Sequence, residues 1–234
     1  MRADTFAKLV TLETLVDAEI GHFLEQRAPG MDRFREGIVT RVSDLVDQID
    51  ALDAVAAARV YDAIVDFLAE LPEDDAGIVE ATLRFKRAVD RVVARGMEAR
   101  DLAQASTWAT VLDELLEELA DEYHAAVRPG GEVRPREYLR AQFLLERARE
   151  AAERILWAAD AGAEQEAELR DEMDRLLFAV RSRRLKPTEV DFLIRAPQRL
   201  ARRWRPSTLS RIGGFVIGQL LRRRSAPRQE PRNP

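Results

Sequence analysis

Apolar residues recur at spacings of three and four along nearly the whole chain, the period of helices that bury one side. The first such run covers about residues 4–27, with Phe6, Leu9, Leu12, Val16, Ile20 and Phe23 as its stripe and Asp4 or Thr5 as cap; Pro29 and Gly30 end it. A second begins near Met31 and places Phe34, Ile38, Val42, Leu45, Ile49 and Leu52 at close to heptad spacing, a seam suited to an antiparallel neighbour or a second copy. Asp50 or Asp53 is positioned to cap a third helix bearing Val55, Val60, Ile64 and Leu68, which Pro72 stops. Asp74 or Asp75 opens a fourth, with Ile78, Leu83, Phe85, Val89, Val92 and Met97.

Ser106 is placed to cap a fifth helix carrying Trp108, Leu112, Leu115, Leu119 and Tyr123, closed by Pro129-Gly130-Gly131. Pro135 suits the first turn of a sixth, which runs through Leu139, Phe143, Ala148, Ile155 and Leu156 to about Asp160. The seventh covers about 163–184 with Leu169, Met173, Leu176, Leu177 and Val180. Nothing alternates with the period of a strand. Long helices joined by short turns predict an all-α protein, an antiparallel bundle of about seven body helices.

After Lys186-Pro187 the texture changes. A short helix over 188–195 is expected to break at Pro197. A last helix over 208–224 follows, capped by Ser207, and then a proline- and arginine-rich end expected to be disordered. The predicted organisation is an acidic bundle over 1–185, a basic amphipathic segment over 186–224 and a disordered end over 225–234.

Composition sharpens that division. From Arg181 onward there are fifteen arginines and lysines against Glu189, Asp191 and Glu230, a net of +12 in a chain whose total is −5, which leaves −17 on residues 1–180. Hydrophobic residues at 46% and charged residues at 34% fit amphipathic helices rather than global disorder. The absence of cysteine excludes disulfides, thiolate metal sites and thiol nucleophiles. With no signal-like start and no apolar run of spanning length, the expected location is cytoplasmic or peripheral to a membrane.

Three constellations bear on chemistry. Glu19/His22 and Asp121/His124 place a carboxylate three residues before a histidine, a ligand spacing used in helical di-metal sites, and Glu36 and Glu137 follow the next turns as third ligands. Helical phase points both imidazoles roughly 130° from the apolar stripes, toward water rather than the core, so no metal or other cofactor is expected. The offset of 100–102 residues between the two sets hints at a faint duplication. Second, Asp113, Glu114, Glu117, Glu118, Asp121 and Glu122 read as the solvated side of an amphipathic helix, or as a dock for a basic segment. No phosphate loop, serine-hydrolase elbow, zinc-protease helix or kinase signature is present, so no catalytic residue is assigned.

The third constellation is the basic segment. Arg195, Arg199, Arg202, Arg203, Arg205 and Arg211 surround Trp204, and Arg222-Arg223-Arg224 follows the apolar positions Leu209, Ile212, Val216 and Leu220. Such a pattern suits an anionic partner: another protein or a second copy, an acidic membrane surface, or nucleic acid, in that order. The chain thus reads as a non-enzymatic helical adaptor or scaffold. A carboxylate–histidine metalloprotein is the alternative.

Overall fold

The computed structural model describes residues 1–26, 30–72, 74–128, 132–183 and 185–205. Among these the architecture is all-α: α1 (Ala3–Gln26), α2 (Gly30–Leu52), α3 (Ala54–Ala69), α4 (Asp75–Gly96), the single turn α5 (Ala99–Leu102), α6 (Ala105–Ala126), α7 (Pro135–Ala159), α8 (Ala163–Ser182) and α9 (Pro187–Ala201), then a 3₁₀ turn over Arg202–Trp204. The seven long helices α1–α4 and α6–α8 are those the periodicity predicts. No helix among the described residues is long and apolar enough to cross a membrane.

Local chemistry sets several boundaries. Asp53 accepts from the Ala56 N–H at 3.0 Å and Asp74 from the Gly77 N–H at 2.8 Å, each satisfying an orphan donor of the first turn. Ser106 does not cap α6: that helix starts one residue earlier, with Gln104 at the cap position. Asp160 and Arg183 end α7 and α8 in the left-handed conformation, at φ 48° and 55°.

Helix α1 lies at the centre, packed on α2, α4, α6 and α7. Its single predicted stripe is therefore an underestimate. Ala7, Val10, Leu15 and Ala18 are buried alongside Leu9, Leu12 and Val16, as are Thr5, Thr11, Thr14 and Glu19. Four neighbours leave the helix no dry side and wet side, so its polar residues must find partners inside the protein. Helices α6 and α7 form the closest hairpin, with Leu112, Leu115, Leu116, Leu119 and Tyr123 of α6 fully enclosed.

Elsewhere the stripes hold with three exceptions, the first being Leu52 at the end of α2, which is exposed. Val55 and Leu83, placed by spacing on the buried faces of α3 and α4, are exposed. At 100° per residue they lie nearly opposite Val60–Ile64–Phe67 and Ile78–Phe85–Val89, which face the core.

Residues 186–204 belong to the same compact unit as the bundle, which spans Met1–Trp204. Helix α9 packs on α6 and α8 through Val190, Ile194, Pro197, Leu200 and Ala201. The predicted break at Pro197 does not occur. The proline costs about 3 kcal/mol inside a helix, but its own ring is buried with four apolar neighbours of the same face, and that contact offsets the cost. The helix expected over 208–224 and the disordered end over 225–234 lie outside the described residues.

Candidate functional site

The outer face of α9 is built from positions three and four apart. Pro187 occupies the first turn, and the Lys186 N–H donates to Glu189 Oε2 at 2.7 Å, fixing the helix start. With Val190, Ile194 and Pro197 turned inward, Phe192, Arg195, Arg199 and Arg202 fall on the side facing water. Phe192 is 71% exposed. Among the described residues no carboxylate lies within pairing distance of Arg195, Arg199 or Arg202, whereas Arg203 binds Glu168 of α8 at 2.6 Å. Trp204 is half-buried and packs against the core rather than standing free. Arg205 is half-buried. Arg211, Arg222, Arg223 and Arg224 lie outside the described residues.

The last turn of α6 anchors this helix. Tyr123 Oη donates to the Leu185 carbonyl at 3.1 Å, and His124 Nε2 sits 2.9 Å from both carboxylate oxygens of Asp191. Together they pin the start of α9 to the bundle.

The six metal candidates are not brought together. Glu19 is only 2% exposed, and both its oxygens are taken by Arg136 and Arg140 of α7. His22 is half-buried, and that burial pushes its imidazole below the ordinary histidine range. Glu36 and Asp121 are exposed, Glu137 lies 3.8 Å from Arg134, and His124 is turned to Asp191. No group of three metal-ligating side chains occurs among the described residues. Nor do the offset positions share surroundings: Glu19 is buried where Asp121 is exposed. Arg35 donates to the Leu71 carbonyl at 3.3 Å, whereas Arg136 grips Glu19.

The acidic run on α6 also departs from expectation. Asp113 and Glu122 are buried, Glu114 pairs with Lys8 of α1, and Glu118 and Glu122 pair with Arg41 of α2. Only Glu117 and Asp121 face water. A helix packed on α1, α7 and α9 has little solvated face to offer, so Glu114, Glu118 and Glu122 are neutralised inside the protein.

These pairs join into a chain: Arg136, Glu19, Arg140, Glu122, Arg41 and Glu118. Arg140 stands between Glu19 and Glu122, its Nη1 3.5 Å from the latter. Burial holds the Glu122 carboxyl above its ordinary range, though Arg140 and Arg41 pull it down. Pairing of Glu19 across 117 and 121 residues left no local trace of the chain. The one clue was Gly37, a glycine in mid-helix, which signals close approach of another group.

Compared with models of known protein families, with curated proteins and with solved structures, the chain matches none.

Proposed function

We propose that the protein is a non-enzymatic helical adaptor that docks on an acidic surface of another protein through the outer face of α9 and the arginine-rich stretch beyond it. One observation carries this reading: Phe192, Arg195, Arg199 and Arg202 form a single exposed stripe, with an aromatic at its head and three guanidiniums that no described acid neutralises. Arginine and aromatic side chains dominate the binding energy of protein interfaces. The helix that holds them is anchored through its opposite face, so little ordering entropy is lost on docking. The same anchoring argues against α9 lying in a lipid surface, because its apolar face is already occupied by the bundle.

The test is site-specific photo-crosslinking from position 192 in cells, with position 157 on α7 as a control. A partner captured only from 192 is then purified and titrated. Charge reversal at Arg195, Arg199 and Arg202 should abolish binding. Reversal of Arg87, Arg91 and Arg95, exposed on α4 without an accompanying aromatic, should leave it intact. Equal capture from both positions, or binding indifferent to charge reversal on α9, would refute the proposal. Acidic vesicles or nucleic acid that bind the chain through the same stripe, in the absence of a protein partner, would replace it.

A further inference from the structure

The chain of arginines and glutamates is not sealed on all sides. Where α2 and α7 meet it borders a cavity of about 320 Å³ lined by Glu36, Gly37, Thr40, Arg41, Arg136 and Arg140. We infer that this cavity is a binding site for a small oxyanion, a phosphate or carboxylate group, held by the guanidiniums of Arg41 and Arg136, while Arg140 stays engaged by Glu19 and Glu122.

The argument is one of donors. Each guanidinium carries five N–H groups in a rigid plane. Arg136 directs Nε and Nη2 to Glu19, and Arg41 directs Nη2 to Glu118 and Glu122. Among the described residues neither Arg136 Nη1 nor Arg41 Nη1 has an acceptor, and Arg41 Nε is a buried donor without one. The glutamates thus hold one edge of each guanidinium and leave Nη1 of both unused on side chains that line the cavity, while Arg41 Nε is sealed from it. Two pre-oriented forks converging from different helices are the arrangement that takes an oxyanion in paired charge-assisted hydrogen bonds.

Gly37 supports the reading independently. A Cβ at that position would overlap Arg136 Nη2, so the guanidinium lies directly over bare backbone in the middle of α2. Glycine inside a helix costs about 0.5–1 kcal/mol against alanine. Here that cost makes room for an arginine at the cavity wall.

Charge balance defines the ligand further. The three arginines are matched by Glu19, Glu118 and Glu122, so recognition rests on N–H geometry rather than on a strong positive field. Glu36 at the mouth is exposed and can turn into water. A compact oxyanion, alone or on a small organic body, satisfies both conditions. The site is formed by α2 and α7 and involves no residue of the α9 stripe.

Calorimetric titration of the full chain with inorganic phosphate, and separately with citrate, at constant ionic strength provides the test. Saturable binding of one anion per chain is expected, and which of the two binds assigns the group. Gly37→Ala preserves every charge and favours the helix, yet displaces Arg136, and should weaken binding about tenfold, the worth of one charge-assisted hydrogen bond. Arg136→Gln should do the same, while Arg195→Ala/Arg199→Ala/Arg202→Ala should bind like the parent. Failure of both anions to bind the parent would overturn the inference. So would full binding by folded Gly37→Ala, or loss of binding in the α9 variant alone.

Discussion

Arg140 offers the most demanding test of how the interior is held. Its side chain is 11% exposed and stands between Glu19 and Glu122, which are 2% and 3% exposed. Replacing it with Met removes one of two partners from each buried carboxylate and offers neither a route to water. Breaking a buried pair from one side costs about 3–5 kcal/mol. Arg136 binds the same Glu19 but is 34% exposed, and its loss leaves Arg140 in place. One charge-assisted pair, discounted for solvent screening, puts Arg136→Met at about 1–2 kcal/mol. Urea unfolding at neutral pH reads both from midpoint shifts, provided the denaturant slope is unchanged. The reasoning also requires that Glu19→Leu with Arg140→Met cost less than Arg140→Met alone, since Arg136 can reach water and Glu122 keeps Arg41. Equal costs for the two arginines, or a double variant worse than the single, would show that the chain of charges is not held by buried pairing.

Three smaller effects should accompany it. Thr11 is fully buried and its hydroxyl has no partner among the described residues, so Thr11→Val should stabilise the fold by about 1 kcal/mol, read as a rise in melting temperature of a few degrees. Asp160 ends α7 at φ 48°, and Asp160→Gly should gain up to about 1 kcal/mol in the same assay; a loss would mean that its side chain does more than bear strain. Burial holds the carboxyls of Glu13, Asp17 and Glu122 above their usual range despite Arg147, Lys86 and Arg140. Their contribution to stability is therefore complete below the unfolded pKa and is lost as pH rises through the folded one. Glu153, lowered by its hydrogen bond to Arg170, acts in the opposite sense, as does His22, lowered by burial, below about pH 6.5. Acidification from pH 7 to about 5 should thus favour the parent over a Glu13→Gln/Asp17→Asn/Glu122→Gln variant, and parallel stability curves would contradict this.

The elements were legible because each long helix carries an apolar stripe bounded by its own caps and prolines, and the aspartates at 53 and 74 do cap the helices they precede. The interior charges were not. The run on α6 looked solvated because a one-stripe reading assumes a helix with one wet side, and α6 packs on α1, α7 and α9 at once. Glu19 drew notice as a metal ligand because its local partner was His22. Its actual partners lie 117 and 121 residues away on α7, a distance no periodicity reports. Pro197 misled for the same reason: its local cost was visible in the sequence, and the neighbours that offset it were not.

That internal pairing changes what the lengthwise division of charge means. Residues 1–180 keep their net −17 whatever the pairing, but that charge is borne by other acids, since Lys8, Arg41, Lys86, Arg136, Arg140 and Arg147 each meet an acid of α1 or α6. Charges compensated in that way contribute little field outside the protein. On α9 the balance runs the other way: Glu189 is spent on the helix start, Asp191 on His124 and Arg203 on Glu168. Arg195, Arg199 and Arg202 then remain beside Phe192 as positive charge that the described fold does not neutralise. What distinguishes the stripe is not its number of arginines but that the helix beneath them has committed its carboxylates elsewhere. The salt dependence of any partner bound there should accordingly track those three guanidiniums and be insensitive to the paired charges around Glu19.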